Sequence, residues 1–230
     1  MSQTGNGASL PRYSVYFVPE DTSELAAFGR RVLQAEPAQN DHPARIAITR
    51  KAAHYGFHST LKAPMELAQG IDQGDLLRFV EDFVKMKKPM PLCGIGPNVH
   101  KGFHALTLPD SSTATPAIDE FAADVVRAFD RFRAPLTDAD RSRRNPAKLS
   151  ERQRQNLELY GYPHVIEDFF FHMTLSHRME HAAESASYHD WLSDLYTKTV
   201  TRTPALDRLA VFWQPDRSTA FTRLAEFPLS

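Results

Sequence analysis

The chain has 230 residues, 42% of them hydrophobic and 24% charged, with 27 Lys and Arg against 28 Asp and Glu. That is enough apolar mass for one large domain or two small lobes, and a net charge of -1 excludes a polybasic protein that coats nucleic acid or acidic membrane indiscriminately. A single cysteine, Cys93, excludes an intrachain disulfide framework and a Cys-rich zinc ribbon, and no run approaches the ~18 apolar residues of a membrane span.

Residues 1–11 are polar and rich in small residues, without the basic and apolar blocks of a signal peptide, so a short tail and a cytoplasmic protein are expected. Residues 12–230 then form one domain. Tyr13–Val18 is a β-rich run closed by Pro19. Asp21 followed by Glu24 has capping-box spacing and opens a helix to about Leu33. Residues 35–50 read as irregular, with a short strand at Arg45–Thr49. Gly56–Lys62 reads as a strand stopped by Pro64. Leu76, Leu77, Val80, Phe83 and Val84 have helical spacing, ended by Pro89. Pro91–Val99 and Phe103–Leu108 read as two strands about a turn at Lys101-Gly102.

Thr115-Pro116 is a helix-opening pair, followed by the apolar stripe Ile118, Phe121, Val125 and Phe129. Ser150 with Gln153 opens another helix, which Gly161 ends. Asp168–Ser176 reads as a strand, Ala182–Val200 as a helix, and Leu206–Trp213 and Ala220–Phe227 as closing strands. The expected class is α+β, with helices packed on antiparallel-rich sheets.

One pattern is repeated. Phe57-His58-Ser59-Thr60-Leu61 returns half a chain later as Phe171-His172-Met173-Thr174-Leu175. A bare His-x-Thr is cheap among 10 histidines, but the duplicated pentapeptide points to two related lobes that each supply one strand. Alternate strand residues share a face ~7 Å apart. His58 and Thr60 therefore face one way, with Lys62 beyond them, and His172 and Thr174 do the same, with Ser176 and Arg178 following. The flanking Phe and Leu anchor each copy in the core.

Two imidazoles and two hydroxyls converging on one cleft suit a phosphodiester. A neutral histidine can take a proton from the attacking group while a protonated one gives a proton to the leaving oxygen. Thr60 and Thr174 can donate to non-bridging oxygens, and Lys62 and Arg178 can offset the charge of the transition state. Such chemistry needs neither metal nor cofactor.

At these motifs the chain resembles the 2H phosphoesterase superfamily, whose members include RNA 2′,3′ ligase/cyclic phosphodiesterases. It is most similar to a bacterial branch found beside phosphonate-utilisation genes. The similar stretches are Tyr55–Pro64, Phe132–Thr137, Gly161–Pro163 and Phe171–Leu175, within a likeness that runs from about Arg12 to the C-terminus. The resemblance implies a bilobal fold of two pseudo-symmetric sheets around a central cleft. It also implies metal-independent cleavage of a small cyclic or linear phosphodiester by His58, Thr60, His172 and Thr174, the substrate being a 2′,3′-cyclic nucleotide or a cyclic sugar phosphate. An RNA end is a further possible ligand, and no membrane or obligate protein partner is implied. Ser59 stands where alanine is common in the branch, and its side chain should face away from the cleft. The alternative reading is a non-catalytic binder of RNA ends or phosphorylated ligands.

Other candidates are weaker. Residues 131–154 hold eight basic residues against three acidic ones, and Arg133 is the first choice there for a basic flap over an anion. Tyr55, Tyr160 and Tyr162 are candidates to stack on a base or sugar. Histidine pairs spaced i, i+4, such as His54/His58, His100/His104 and His177/His181, lack the helix and the glutamate of a zinc signature. His104 imitates the motif, but its threonine comes one place late, on the opposite face. Cys93 is expected to be buried. No Walker loop and no G-x-G-x-x-G is present, which disfavours a kinase or a dinucleotide enzyme.

Overall fold

The computed structural model describes residues 10–109 and 115–230. The expected tail therefore falls, over residues 1–9, outside the described residues. The architecture is α+β, with antiparallel sheets and seven α-helices among the described residues.

The first sheet has the order β2-β1-β8-β9, built from β1 (Arg12–Phe17), β2 (Ser59–Glu66), β8 (Arg208–Gln214) and β9 (Thr222–Pro228). Central β1 is buried on both faces from Tyr13 to Phe17, a Val, Tyr and Phe run interrupted by the buried Ser14. β2 is an edge strand and runs through Pro64, where a sequence reading stops it. A proline is tolerated there because the ladder is broken: the register steps from Tyr13↔Met65 to Val15↔Lys62. A second irregularity lies between Val15↔Lys62 and Tyr16↔Thr60, leaving Leu61 as an extra residue.

The second sheet has the order β4-β5-β6, from β4 (Gly96–His100), β5 (Phe103–Thr107) and β6 (His172–Thr174). The β4–β5 turn falls at Lys101-Gly102 as expected. Both residues have positive φ (48° and 85°), the two-residue hairpin geometry that matches strand twist. β6 is much shorter than the expected Asp168–Ser176 strand, because residues 166–168 form a 3-10 turn and the paired register ends at Thr174, with one further backbone bond from the Leu175 amide to the His104 carbonyl. A two-stranded ribbon pairs β3 (Met90–Pro91) with β7 (Ala205–Leu206).

Of the helices, α1 (Glu24–Leu33) is capped by Ser23, whose hydroxyl accepts from the Ala26 amide, and not by Asp21. Asp21 instead pairs with Arg223. The largest departure is α2 (Arg45–Tyr55), where β-branched Ile46, Ile48 and Thr49 suggest a strand. Arg45 decides the outcome. It is 1% exposed, pairs with Asp41, and donates to the carbonyls of Val32, Gln34 and Glu36, so the irregular segment before the helix is stitched to α1. α3 (Gln73–Val84), α4 (Thr115–Phe129), α5 (Asp138–Arg143), α6 (Glu151–Tyr160) and α7 (Ala182–Thr199) complete the set. The α4 stripe Ile118, Phe121, Val125 and Phe129 is buried as its spacing predicts, and α6 carries the Ser150/Gln153 capping box and ends at left-handed Gly161.

Both sheets contribute to one continuous core, from Val15, Phe17, Leu61 and Val211 to Leu106, Phe171, Met173 and Leu175. The two edge strands β2 and β6 approach each other, which brings the repeated pentapeptides together. No helix among the described residues is long and apolar enough to cross a membrane.

Candidate functional site

Register determines which side chains meet. In the first sheet Tyr16 pairs with Thr60 and with Ala210, so Tyr16, Thr60 and Phe212 share a face. In the second sheet Thr107 pairs with His172 and Ala105 with Thr174, which places His172, Thr174, Phe103 and His100 on one face and Met173 in the core. These faces line a cleft. One compartment, of about 610 Å³, is bounded by Tyr16, Tyr55, His58, Thr60, Thr174 and Arg178, among others. A narrower compartment of about 270 Å³ contains His172. Both are walled by Thr60, Ala63, Phe103 and Tyr162, so they are parts of one continuous depression.

The two histidines are held alike. His58 Nδ1 lies 3.1 Å from the Gly56 carbonyl and His172 Nδ1 lies 2.8 Å from the Phe170 carbonyl, each two residues back. A carbonyl only accepts, so Nδ1 carries the hydrogen in both rings and Nε2 is left for chemistry. Aromatic rings fix the planes. His58 stacks on Tyr16 with centroids 4.1 Å apart, and Phe170 lies parallel to His172 at 5.8 Å. Phe170 is itself stacked on His100. Phe57 is seated by Gly29, where a Cβ would fall 2.1 Å from the Phe57 ring.

Burial pushes His58 down to about 4, and a positive charge on His172 opposes its protonation further. His172 is also lowered by burial, with Lys101 adding to the effect. His172 therefore lies within electrostatic reach of His58. Among the described residues, neither Thr60 nor Thr174 spends its hydroxyl on a protein partner.

The remaining candidates divide. Tyr55, 56% exposed, and Arg178, also exposed, line the cleft. Ser176 borders it, but its hydroxyl is engaged by the His104 amide at 2.7 Å and the His177 carbonyl at 2.8 Å. Lys62 is not at the rim. The extra residue at Leu61 turns it to the opposite face, opposite Val15, where it is 2% exposed and bound to Asp130 at 2.7 Å. Arg133 is likewise turned away: its guanidinium binds Asp130 and the Leu159 carbonyl. The basic segment reaches the cleft through Arg144, which lies 4.6 Å over the Tyr162 ring.

Sequence reasoning passed over Arg12 and Tyr16, and within the basic segment it chose Arg133 over Arg144. The proximity of Arg144 to Tyr162 could not be read from spacing, but the Tyr16–Thr60 pairing follows from β1 and β2 being neighbours. His104 is buried on the opposite face, with Nε2 at 3.1 Å from the Ser185 carbonyl. Cys93 is half-buried. Among the described residues no group of three His, Cys, Asp or Glu side chains could hold a metal ion.

Comparison with known proteins gives three findings. A family model described as "Protein of unknown function (DUF1045)" matches residues 60–222. The chain is 33% identical over 185 residues to the ribose 1,5-bisphosphate phosphokinase PhnN of a Janthinobacterium species, covering 76% of this chain and 40% of that protein. It is 27% identical over 229 residues to the protein of the same name from Laribacter hongkongensis, covering 91% and 50%. The chain thus spans half or less of the length of these curated relatives. A conserved protein of unknown function from Agrobacterium tumefaciens superposes with a TM-score of 0.42 at 13% identity, over 98% of this chain and 89% of that one.

Proposed function

The chain belongs to the DUF1045 family, and from its cleft we propose that it is a phosphodiesterase that opens a small cyclic or linear phosphodiester through paired histidines. The observation that carries this reading is the duplicated His-x-Thr, whose two rings are oriented alike on facing edge strands. His58, the imidazole pushed down to about 4, acts as the base: its Nε2 takes a proton from the attacking water. The water oxygen bonds to phosphorus, the bond to the leaving oxygen breaks, and His172 Nε2–H gives that oxygen its proton. Thr60 and Thr174 donate to the non-bridging oxygens, and Arg178 at the cleft offsets the developing charge. The products are a phosphomonoester and a free hydroxyl, and proton exchange with solvent resets the pair. This is the chemistry and the bilobal arrangement that the resemblance to 2H phosphoesterases implies.

The relatives' name points to phosphorylated ribose as a substrate class, and a cyclic ribose phosphate fits both that name and the phosphonate context of the resembling branch. The phosphokinase activity in that name belongs to proteins of which this chain spans half or less. Phosphoryl transfer from a nucleotide needs a phosphate-cradling loop such as G-x-x-x-x-G-K-[ST], which this chain lacks. The test is hydrolysis of 2′,3′-cyclic nucleotides followed by phosphorus NMR. Turnover is expected from the unaltered protein and none from the His58→Ala/His172→Ala protein. Undiminished turnover by that double variant overturns the proposal, and tight binding without turnover would favour a non-catalytic ligand binder.

A further inference from the structure

Beyond Pro64 the histidine cleft opens into a second pocket, of about 350 Å³, that the proposed mechanism does not use. It is walled by five arginines and two carboxylates. Three of the arginines are spent: Arg133 on Asp130, Arg143 on Asp140, and Arg217 on Glu66 and Asp140. The other two are not. Arg12 donates from Nε to the neutral amide oxygen of Gln214 at 2.8 Å and lies over the Phe221 ring, and Arg144 lies over Tyr162. Among the described residues neither forms an ion pair with a carboxylate. Both are half-buried, and both line the pocket and the histidine cleft alike. Burial, and then Arg217 and Arg143, lower the proton affinity of Arg12, partly offset by Tyr16 and Glu66.

Two half-buried guanidinium forks that form no ion pair, Arg12 with Glu66 only as its neighbour across the ladder, stand at the mouth of a pocket with more arginines than carboxylates and form a receptor for an anion. The second pocket lies beyond Pro64, and none of His58, Thr60, His172 and Thr174 lines it. An anion seated there is distinct from a phosphate held between the rings, so one ligand that fills both needs an anionic group at each end.

We propose that Arg12 and Arg144 hold a second phosphoryl group of the substrate, so that the substrate class is a phosphodiester that also carries a separate phosphomonoester. The inference rests on the diesterase reading of the adjoining cleft. Its test compares adenosine 2′,3′-cyclic phosphate with the same compound phosphorylated at the 5′ position, so that the scissile group is common to both. In the unaltered protein kcat/KM should favour the 5′-phosphorylated compound by about 10- to 100-fold, the range of charge-assisted hydrogen bonds to one phosphate. Arg12→Gln/Arg144→Gln should bring that ratio to within about threefold of unity, mainly through KM, and Arg12→Lys/Arg144→Lys should restore part of it. A ratio near one in the unaltered protein, or a ratio that the glutamine variant does not move, overturns the proposal. Calorimetric binding of both compounds separates the two readings. Tighter, arginine-dependent binding of the phosphorylated compound without turnover would keep the subsite and remove the diesterase reading, whereas equal binding would remove the subsite.

Discussion

The two copies of the pentapeptide begin alike and continue differently. Each anchors a Phe and a Leu in the core, ties Nδ1 of its histidine to a carbonyl two residues back, and turns a threonine into the cleft. The first copy then enters an eight-residue strand with an extra residue at Leu61, and Lys62 passes under the sheet to Asp130. The second ends after three strand residues, and Arg178 emerges at the cleft. The same local sequence thus gives one arm whose cation is structural and one whose cation is available to a ligand. The rings differ too: His58 is stacked on Tyr16 and pushed down to about 4, which marks it as the neutral partner of the pair.

The largest expected effect tests the division of labour between the rings. His58→Asn and His172→Asn should each lower kcat/KM by about 10²- to 10⁴-fold. The His58 variant should lose the acid limb of the pH profile and the His172 variant the alkaline limb. Equal losses with unchanged profiles would erase the distinction between the arms. Next comes the contrast between the cations. Asp130→Ala leaves the Lys62 ammonium buried without its carboxylate and should cost about 3 kcal/mol in denaturant unfolding, whereas Lys62→Met should cost less. Arg178→Ala should stay within about 0.5 kcal/mol in the same assay while lowering kcat/KM.

A smaller effect concerns stability in acid. The folded state lowers the proton affinity of His58, so the unfolded chain binds more protons between pH 6.5 and about 4. Stability is complete above pH 6.5 and falls as pH drops through that window. His58→Phe should flatten the fall in thermal midpoint between pH 7 and pH 4.5. The smallest effect is Ser59→Ala. Ser59 is 1% exposed and its hydroxyl has no hydrogen-bond partner, so alanine should stabilise the fold by about 1 kcal/mol in calorimetry.

Periodic features were legible in the sequence. The α4 stripe, the α6 capping box, the Lys101-Gly102 turn and the pairing of His58 with Thr60 all follow from local spacing. Features set by a distant partner were not. Arg45 at the start of α2 finds the Val32 carbonyl in α1 and two carbonyls and Asp41 in the segment between the helices, which β-branched composition does not reveal. Lys62 departs from strict alternation because of one extra residue, and an edge strand that tolerates a proline is where such an irregularity sits. Arg144 replaces Arg133 at the cleft because Asp130 captures Arg133 within its own turn.

In the proposed mechanism two half-buried imidazoles of unequal proton affinity work as base and acid on one phosphate. The dependence of kcat/KM on pH, measured from pH 3.5 to 8 on a cyclic phosphodiester, tests it most directly, because that quantity reports the free protein's ionisations. Both rings are lowered from 6.5, so the singly protonated pair peaks on the acid side, and a bell with its maximum below pH 6.5 is expected. A profile that rises with a single ionisation and stays flat above pH 7 would contradict it.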